Sequence, residues 1–334
     1  MKKETIGLAE GAGGFESWQI FKEIRKILSF EKDWENLKDD GAVFDFKKRK
    51  IFNLKEKKLV FTTDGSNISP IFFPGGDIGK IAFLSCINDL AVMGADPLGI
   101  SLAFFIEEGF PKKDFRKILK SINEISQKTK VPVVTGDTKV FERKRLDKIA
   151  IVCAGIGIAE RIISDDQAKP GDYILVNGDL GEHSIVILAK RYKFKTKLKS
   201  DAKSIYPEIK EIRDYISTCK DLTRGGLKAN IVELSQKSKV KIILEEENLP
   251  FKKEVLSFCE VLGIDPLSLA SEGKFFVTLP KKNLEKVLNI LKKFNKKARI
   301  IGRVEKGRGV FLKTKLGVLK KIEMPRGKIV PRIC

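Results

Sequence analysis

The chain has 334 residues, 42% hydrophobic and 33% charged, enough apolar content for a sizeable core, and its length predicts about two domains of roughly 100–200 residues each. No stretch approaches the ~18 consecutive apolar residues of a membrane span, and Met1-Lys2-Lys3-Glu4-Thr5 leads into no signal-like run, so a cytoplasmic protein that does not enter membranes is expected. The net charge of +21 raises the question of nucleic acid, but aromatic residues do not alternate with the basic ones as a stacking platform requires; the lysines fall on the polar sides of amphipathic patterns and predict a solvated Lys/Glu-rich surface, leaving a basic nucleic-acid-binding module as the disfavoured alternative.

Along the chain, Ile20, Ile24, Ile27 and Leu28 recur at helical spacing within residues 17–30. Leu59–Thr63 reads as a strand ending at Asp64, Ile81–Met93 as a helix, and Leu98, Ile100, Leu102, Phe104 and Ile106 as an alternating, half-buried strand. A helix over Asp114–Lys128 leads to a strand over Val131–Thr135, and Ile149–Ile158 is a very apolar strand. The segment Gln167-Ala168-Lys169-Pro170-Gly171-Asp172 breaks the pattern and marks a domain boundary. Beyond it, strands are expected at Tyr173–Asn177, Val240–Leu244, Phe275–Leu279, Ile300–Val304 and Val310–Lys313, with helices at His183–Arg191, Leu227–Gln236 and Lys253–Leu262. The fold class is α+β, with domains at 1–166 and 167–323 and a flexible tail over 324–334.

Five cysteines without CxxC spacing argue against a disulfide framework or a zinc site; Cys86, Cys153 and Cys259 lie among apolar neighbours and read as inert core thiols. Cys334 differs. It follows Pro325, Gly327 and Pro331, which favour an extended strap, and a thiol there can collect a group at one place and present it at another; an ordinary disordered end is the competing reading. Acidic residues recur beside glycines and near strand ends in Asp39-Asp40-Gly41-Ala42, Thr62-Thr63-Asp64-Gly65, Pro74-Gly75-Gly76-Asp77, Asn88-Asp89 and Gly136-Asp137-Thr138. Any one alone reads as a turn or cap, whereas carboxylates converging from several loops suit Mg2+, which prefers oxygen ligands and shares phosphate oxygens. Asp89 carries more weight because it sits within an apolar helix. Gly75 and Gly76 before a helix let backbone N–H groups approach an anion, and the absence of GxxxxGK[ST] excludes a P-loop.

These motifs, in this order, resemble the superfamily of aminoimidazole ribonucleotide synthetase, selenophosphate synthetase and thiamine-monophosphate kinase, and most closely the HypE hydrogenase maturation factors. The resemblance is carried by Ile71–Lys80 (IFFPGGDIGK), Asn88–Ala91 (NDLA), Gly136–Val140 (GDTKV), Asp221–Leu227 (DLTRGGL), Glu272–Lys274 (EGK) and the closing Pro331-Arg332-Ile333-Cys334. It departs from the family at Glu10, where relatives commonly have His, at Gly65 for Ser and at Leu222 for Pro. The resemblance implies a homodimer whose N-terminal domains form a shared β-barrel flanked by C-terminal α/β domains, with ATP bound where the domains meet. It implies that Cys334 receives a carbamoyl group from the carbamoyltransferase HypF, that ATP drives its dehydration to a thiocyanate, and that cyanide passes to the HypC–HypD complex for the iron of nickel–iron hydrogenase. Asp40, Asp64, Asp89 and Asp137 are then candidates for Mg2+, and Thr63, Gly75, Gly76, Asp77, Asn88, Thr138 and Arg224 join them around the nucleotide. Lys139 and Glu272 are both candidates for the base that removes the amide protons. His183, the single histidine, reads as a cap or a packed ring. A synthetase or kinase of the same superfamily acting on a free small molecule is the alternative that the Cys334 motif argues against.

Overall fold

The computed structural model describes residues 14–16, 18, 19, 34, 35, 42–45, 57–327, 330, 333 and 334. The expected helix over 17–30 lies largely outside them, as do Glu10, Asp40, Pro331 and Arg332. The chain divides into two compact units, one comprising Glu31–Ser164, Val186–Arg213 and Cys334, the other Met1–Phe30, Asp165–Ile185 and Asp214–Ile333.

The first unit is built on a six-stranded sheet of order β1-β2-β3-β8-β6-β7. Its strands are β1 (Trp34–Glu35), β2 (Ala42–Asp45), β3 (Lys58–Ser66), β6 (Asp96–Glu107), β7 (Val133–Phe141) and β8 (Ile149–Ala159); a small hairpin, β4 (Phe72–Phe73) with β5 (Gly76–Asp77), precedes helix α1 (Ile78–Val92). Strict alternation of buried and half-buried residues along β8 shows one face packed and the other partly open. Helix α1 covers the packed face and is buried almost all round, in keeping with its mostly apolar sequence. Helix α2 (Lys112–Thr129) is amphipathic instead, burying Ile118, Ile122 and Ile125 and turning its lysines outward. The two helices approach closely because Gly79 has no side chain: a Cβ there would stand 2.7 Å from an Ile118 methyl.

Residues 186–213 also belong to this first unit. The reason is a set of polar ties. The Asn88 side chain donates to the Lys203 carbonyl (3.2 Å) and accepts from Ile205 N–H (3.0 Å). Ser200 N–H donates to the Pro74 carbonyl (2.8 Å), and the Arg213 guanidinium and Tyr206 hydroxyl both bind Asp96.

The second unit holds a seven-stranded mixed sheet of order β10-β12-β9-β13-β11-β14-β15. It comprises β9 (Asp172–Val176), β10 (Thr218–Asp221), β11 (Lys241–Glu245), β12 (Phe275–Pro280), β13 (Arg299–Glu305), β14 (Gly309–Lys313) and β15 (Leu319–Ile322). Helix α3 (Glu182–Tyr192) begins in this unit; α4 (Tyr206–Ile212) belongs to the first, and α5 (Gly226–Ser238), α6 (Lys253–Leu262) and α7 (Leu284–Phe294) follow. Ile174, Val176, Leu227, Ile231, Ile242, Leu244 and Phe276 form the main core. Both units are mixed helix and sheet, as the α+β reading requires.

A buried ionic cluster sits in this second unit. Lys220 on β10 is only 2% exposed and contacts Asp165 (3.0 Å) and Glu233 (3.7 Å), while Lys237 contacts the same two carboxylates at 2.9 and 3.1 Å. Burial acts to raise the Asp165 carboxyl, but the two ammonium groups outweigh it and hold the group below its ordinary range. Lys220→Met is expected to destabilise the fold by about 1–3 kcal/mol, because it leaves Asp165 and Glu233 to share the single Lys237 ammonium. A denaturant midpoint unchanged from the native chain would refute this.

Candidate functional site

The sheet sorts the candidate residues into two faces. Asp64 on β3 pairs with Cys153 on β8, which pairs with Leu102 on β6, which pairs with Gly136 on β7. Paired residues share a face, so Asp64 and Thr62 lie on the side packed by α1. There the Thr62 hydroxyl donates to an Asp89 carboxylate oxygen at 2.8 Å, and Gly65 N–H donates to Asp64 at 2.7 Å. The structure thus supplies two half-buried carboxylates, one from a strand and one from the helix laid across it. Thr62 was missed by sequence reasoning; its signal is the period-2 spacing to Asp64 in Thr62-Thr63-Asp64.

Asp137 pairs with Ala103 and therefore occupies the opposite face, with Thr63 and Lys139. It is also three strands from β3, about 14 Å at ~4.8 Å per strand. Asp137 and Thr138 are not on a loop: they lie within β7, an edge strand of the sheet. The Lys139 ammonium bonds Asp137 at 3.1 Å and, with Thr138 N–H at 2.7 Å, holds the Asp137 carboxyl below its ordinary range. Within one chain Asp137 does not join Asp64 and Asp89, and among the described residues no three or more His, Cys, Asp or Glu side chains gather as a cation shell. Thr63 donates to the Cys153 carbonyl (2.9 Å).

The Pro74-Gly75-Gly76-Asp77 turn has its own constraints. Gly75 takes φ +95° after a proline, as the second central residue of a type II turn requires, and a Cβ on it would meet the Ser200 backbone at 2.8 Å. Asp77 caps α1 by accepting from Lys80 N–H (3.0 Å), and burial pushes its carboxyl up despite that bond. The Lys80 ammonium bonds the Gly75 carbonyl (2.8 Å), with burial lowering its affinity for a proton. The Asn88 amide is engaged at both ends by backbone, as described above, which gives it a structural task beside the one expected from its motif.

Arg224 and Glu272 belong to the second unit. Arg224 is exposed and sits two residues before α5, whose entry needs Gly225 (φ +76°) and Gly226 (φ +60°). A Cβ at Gly226 would lie 2.5 Å from the Leu269 carbonyl oxygen, so only glycine fits. Glu272 is 3% exposed, on a loop tied down on both sides: Ser271 N–H donates to Leu222 O (2.8 Å) and Leu222 N–H to Lys274 O (3.0 Å). A proline at position 222 would lack the second of these bonds. The Asn177 amide donates to Gly273 O (3.3 Å) and accepts from Phe275 N–H (3.1 Å).

Val330 and Ile333 are each 5% exposed, whereas the Cys334 residue is half-buried. The Cys334 carbonyl accepts from Asn67 N–H at 3.2 Å in the first unit. The other four cysteines are buried; contact with Cys153 and burial push the Cys86 thiol up, and burial pushes Cys259 up to about 11. Cys86, Cys153 and Cys259 are the buried core thiols expected, and Cys219 is buried with them. His183 is fully buried at the start of α3, a packed ring as anticipated, but its Nε2 also lies within hydrogen-bond reach of the Ile333 carbonyl oxygen.

Comparison with known proteins agrees with this picture. Residues 38–159 match the AIR synthase related protein N-terminal domain, and residues 169–315 match the corresponding C-terminal domain. The chain is 35% identical to the carbamoyl dehydratase HypE of Rhizobium leguminosarum bv. viciae, covering 98% of this chain and 95% of that one. Among solved structures, a HypE–HypF complex superposes with TM-score 0.83 at 36% identity, over 93% of this chain and 100% of that one. A HypE hydrogenase maturation protein in complex with ATP gives TM-score 0.81 at 32% identity, over 99% and 100%.

Proposed function

The chain belongs to the AIR synthase related proteins and, within them, to the HypE carbamoyl dehydratases, and on that premise we propose that it dehydrates a carbamoyl group carried on Cys334 to a thiocyanate, using ATP, to supply the cyanide ligand of nickel–iron hydrogenase. The observation that carries this reading is the pairing of a full-length family match with a Pro331-Arg332-Ile333-Cys334 ending whose thiol alone among five is not buried.

The reaction moves the carboxamide oxygen of Cys334–S–CO–NH2 to phosphate and both amide protons to a base, leaving Cys334–S–C≡N, ADP and phosphate. ATP supplies the phosphoryl group that turns this oxygen into a leaving group. Asp64 and Asp89 fit Mg2+ as hard oxygen donors; with Asp40, which lies outside the described residues, they would hold the ion against the triphosphate. Thr62 aims the Asp89 carboxylate, and the Gly75–Asp77 turn is fixed for close approach of a phosphate. Glu272 is buried on a rigid loop and Lys139 is exposed beside Asp137 on the opposite sheet face, so the base is assigned to Glu272 and the neutralising of phosphate to Arg224, with Lys139 contributing only from a second copy of the chain.

The partners follow from the same reading: HypF as carbamoyl donor, HypC–HypD as acceptor, and a second copy of this chain. The edge strand β7 exposes Val133, Val134, Val140 (68%) and Phe141, and Val133 and Val134 help line a groove of about 570 Å3, giving an edge suited to pairing with another copy. That copy would also offer its own Asp137. A cytoplasmic setting is part of the proposal, in keeping with five cysteines of which none is in a disulfide; no helix among the described residues is long and apolar enough to cross a membrane.

The test is intact-mass analysis after incubation with carbamoyl phosphate, HypF and ATP. Carbamoylation mapped to Cys334, followed by loss of one water mass once ATP is added, is expected. Phosphorylation of a free metabolite with no adduct on Cys334 would replace this reading with that of a small-molecule kinase.

A further inference from the structure

We propose that His183 is a positioning residue that grips the tail through the main chain of Ile333 and so sets where Cys334 is presented; this rests on the reading of Cys334 as the carrier thiol. His183 is 0% exposed, and its Nε2 is directed at the Ile333 carbonyl oxygen. A carbonyl only accepts, so this nitrogen carries the proton and donates. The bond is reinforced by burial of the neighbouring side chains, with Val330 and Ile333 each 5% exposed. Because the contact reaches backbone rather than the thiol, it holds the last peptide unit while leaving Cys334 Sγ chemically unaltered.

The grip is also placed beside the candidate base. The start of α3 is sewn to the loop that carries Glu272: Gly181 N–H donates to Ser271 Oγ (2.8 Å), and the Ser184 hydroxyl donates to the Ala270 carbonyl (3.0 Å). His183 lies between these two ties, so the residue that receives Ile333 is fixed relative to the residues immediately preceding Glu272. Gly181 (φ +81°) makes the approach possible, since a Cβ would come within 2.7 Å of Leu269. A buried donor released from its acceptor is costly, so the tail exchanges between a gripped and a released state rather than sliding through intermediates.

Two measurements on the full chain test this. First, as the single histidine in the chain, His183 gives an unambiguous imidazole nitrogen signal. Deleting residues 333 and 334, which leaves His183 untouched, should shift that signal; an unchanged spectrum overturns the grip. Second, iodoacetamide alkylation of Cys334, mapped by mass, should run about tenfold faster in His183→Leu than in the native chain, as expected for losing one buried hydrogen bond. His183→Gln, which keeps a donor near Nε2, should restore the native rate, and ATP affinity should be unchanged in both. Equal alkylation rates in folded His183→Leu and native protein overturn the proposal. A shifted histidine signal in a chain that forms no thiocyanate would uphold the grip and defeat the carrier reading; thiocyanate formation with no shift would do the reverse.

Discussion

Cys334→Ala is expected to leave the folded protein and its ATP affinity within about twofold of the native values while abolishing thiocyanate formation. The substitution alters one half-buried residue that is not a member of the second unit's core cluster. Its main-chain contacts persist, because Asn67 donates to the carbonyl of residue 334 and His183 faces the carbonyl of residue 333. No other thiol can take its place: Cys86, Cys153, Cys219 and Cys259 are buried, and those whose proton affinity is shifted are shifted away from thiolate. Mass spectrometry of the carbamoylated and ATP-chased protein reads the result directly. Thiocyanate on any other residue, or hydrogenase cyanide delivery by the variant, would sink the carrier role.

Much of this architecture is legible in the sequence because burial imposes a period. The alternation through Leu98–Ile106 and the apolar run Ile149–Ile158 give β6 and β8 directly. The stripe of Ile118, Ile122 and Ile125 gives α2. What is not legible depends on partners far away in sequence. Thr218-Cys219-Lys220-Asp221 has no apolar periodicity to mark it as a strand, yet it is a fully buried one because Asp165 and Glu233 neutralise Lys220. Asn88 ties down residues 203–205, a contact more than 110 positions apart that no local pattern announces. Of the candidate site, the acidic residues were visible one by one, but their grouping was not. Strand parity separates Asp64 from Asp137, and parity across four strands follows from register, which the local sequence does not reveal. His183 was read as a packed ring, which it is; the tail contact that gives it a second task spans 150 positions.

Asp89→Asn is expected to lower ATP turnover by about 10²-fold, in the range seen when one charge-stabilising group is removed from a reaction centre, with sedimentation and thermal unfolding unchanged. The amide is nearly isosteric and can still accept from Thr62, so the helix and its packing are preserved. What is lost is formal charge at one of the two carboxylates that the packed face brings together, and a neutral amide is a poorer ligand for Mg2+ than a carboxylate. Calorimetry with Mg-ATP separates lost affinity from lost turnover. Raising Mg2+ should restore part of the turnover if the defect lies in metal binding. Native affinity and turnover in Asp89→Asn would remove this residue from the nucleotide site. Asp137→Asn tests the geometry in turn. Asp137 lies on the other face, about three strand spacings from β3, so a loss as large as that of Asp89→Asn requires Asp137 to come from a second copy. Mixing inactive Asp89→Asn with inactive Asp137→Asn should then recover activity in the hybrid dimer, where one of the two sites has both carboxylates intact. Failure of the mixture to recover, with both variants inactive and dimeric, would show that Asp137 acts within its own chain.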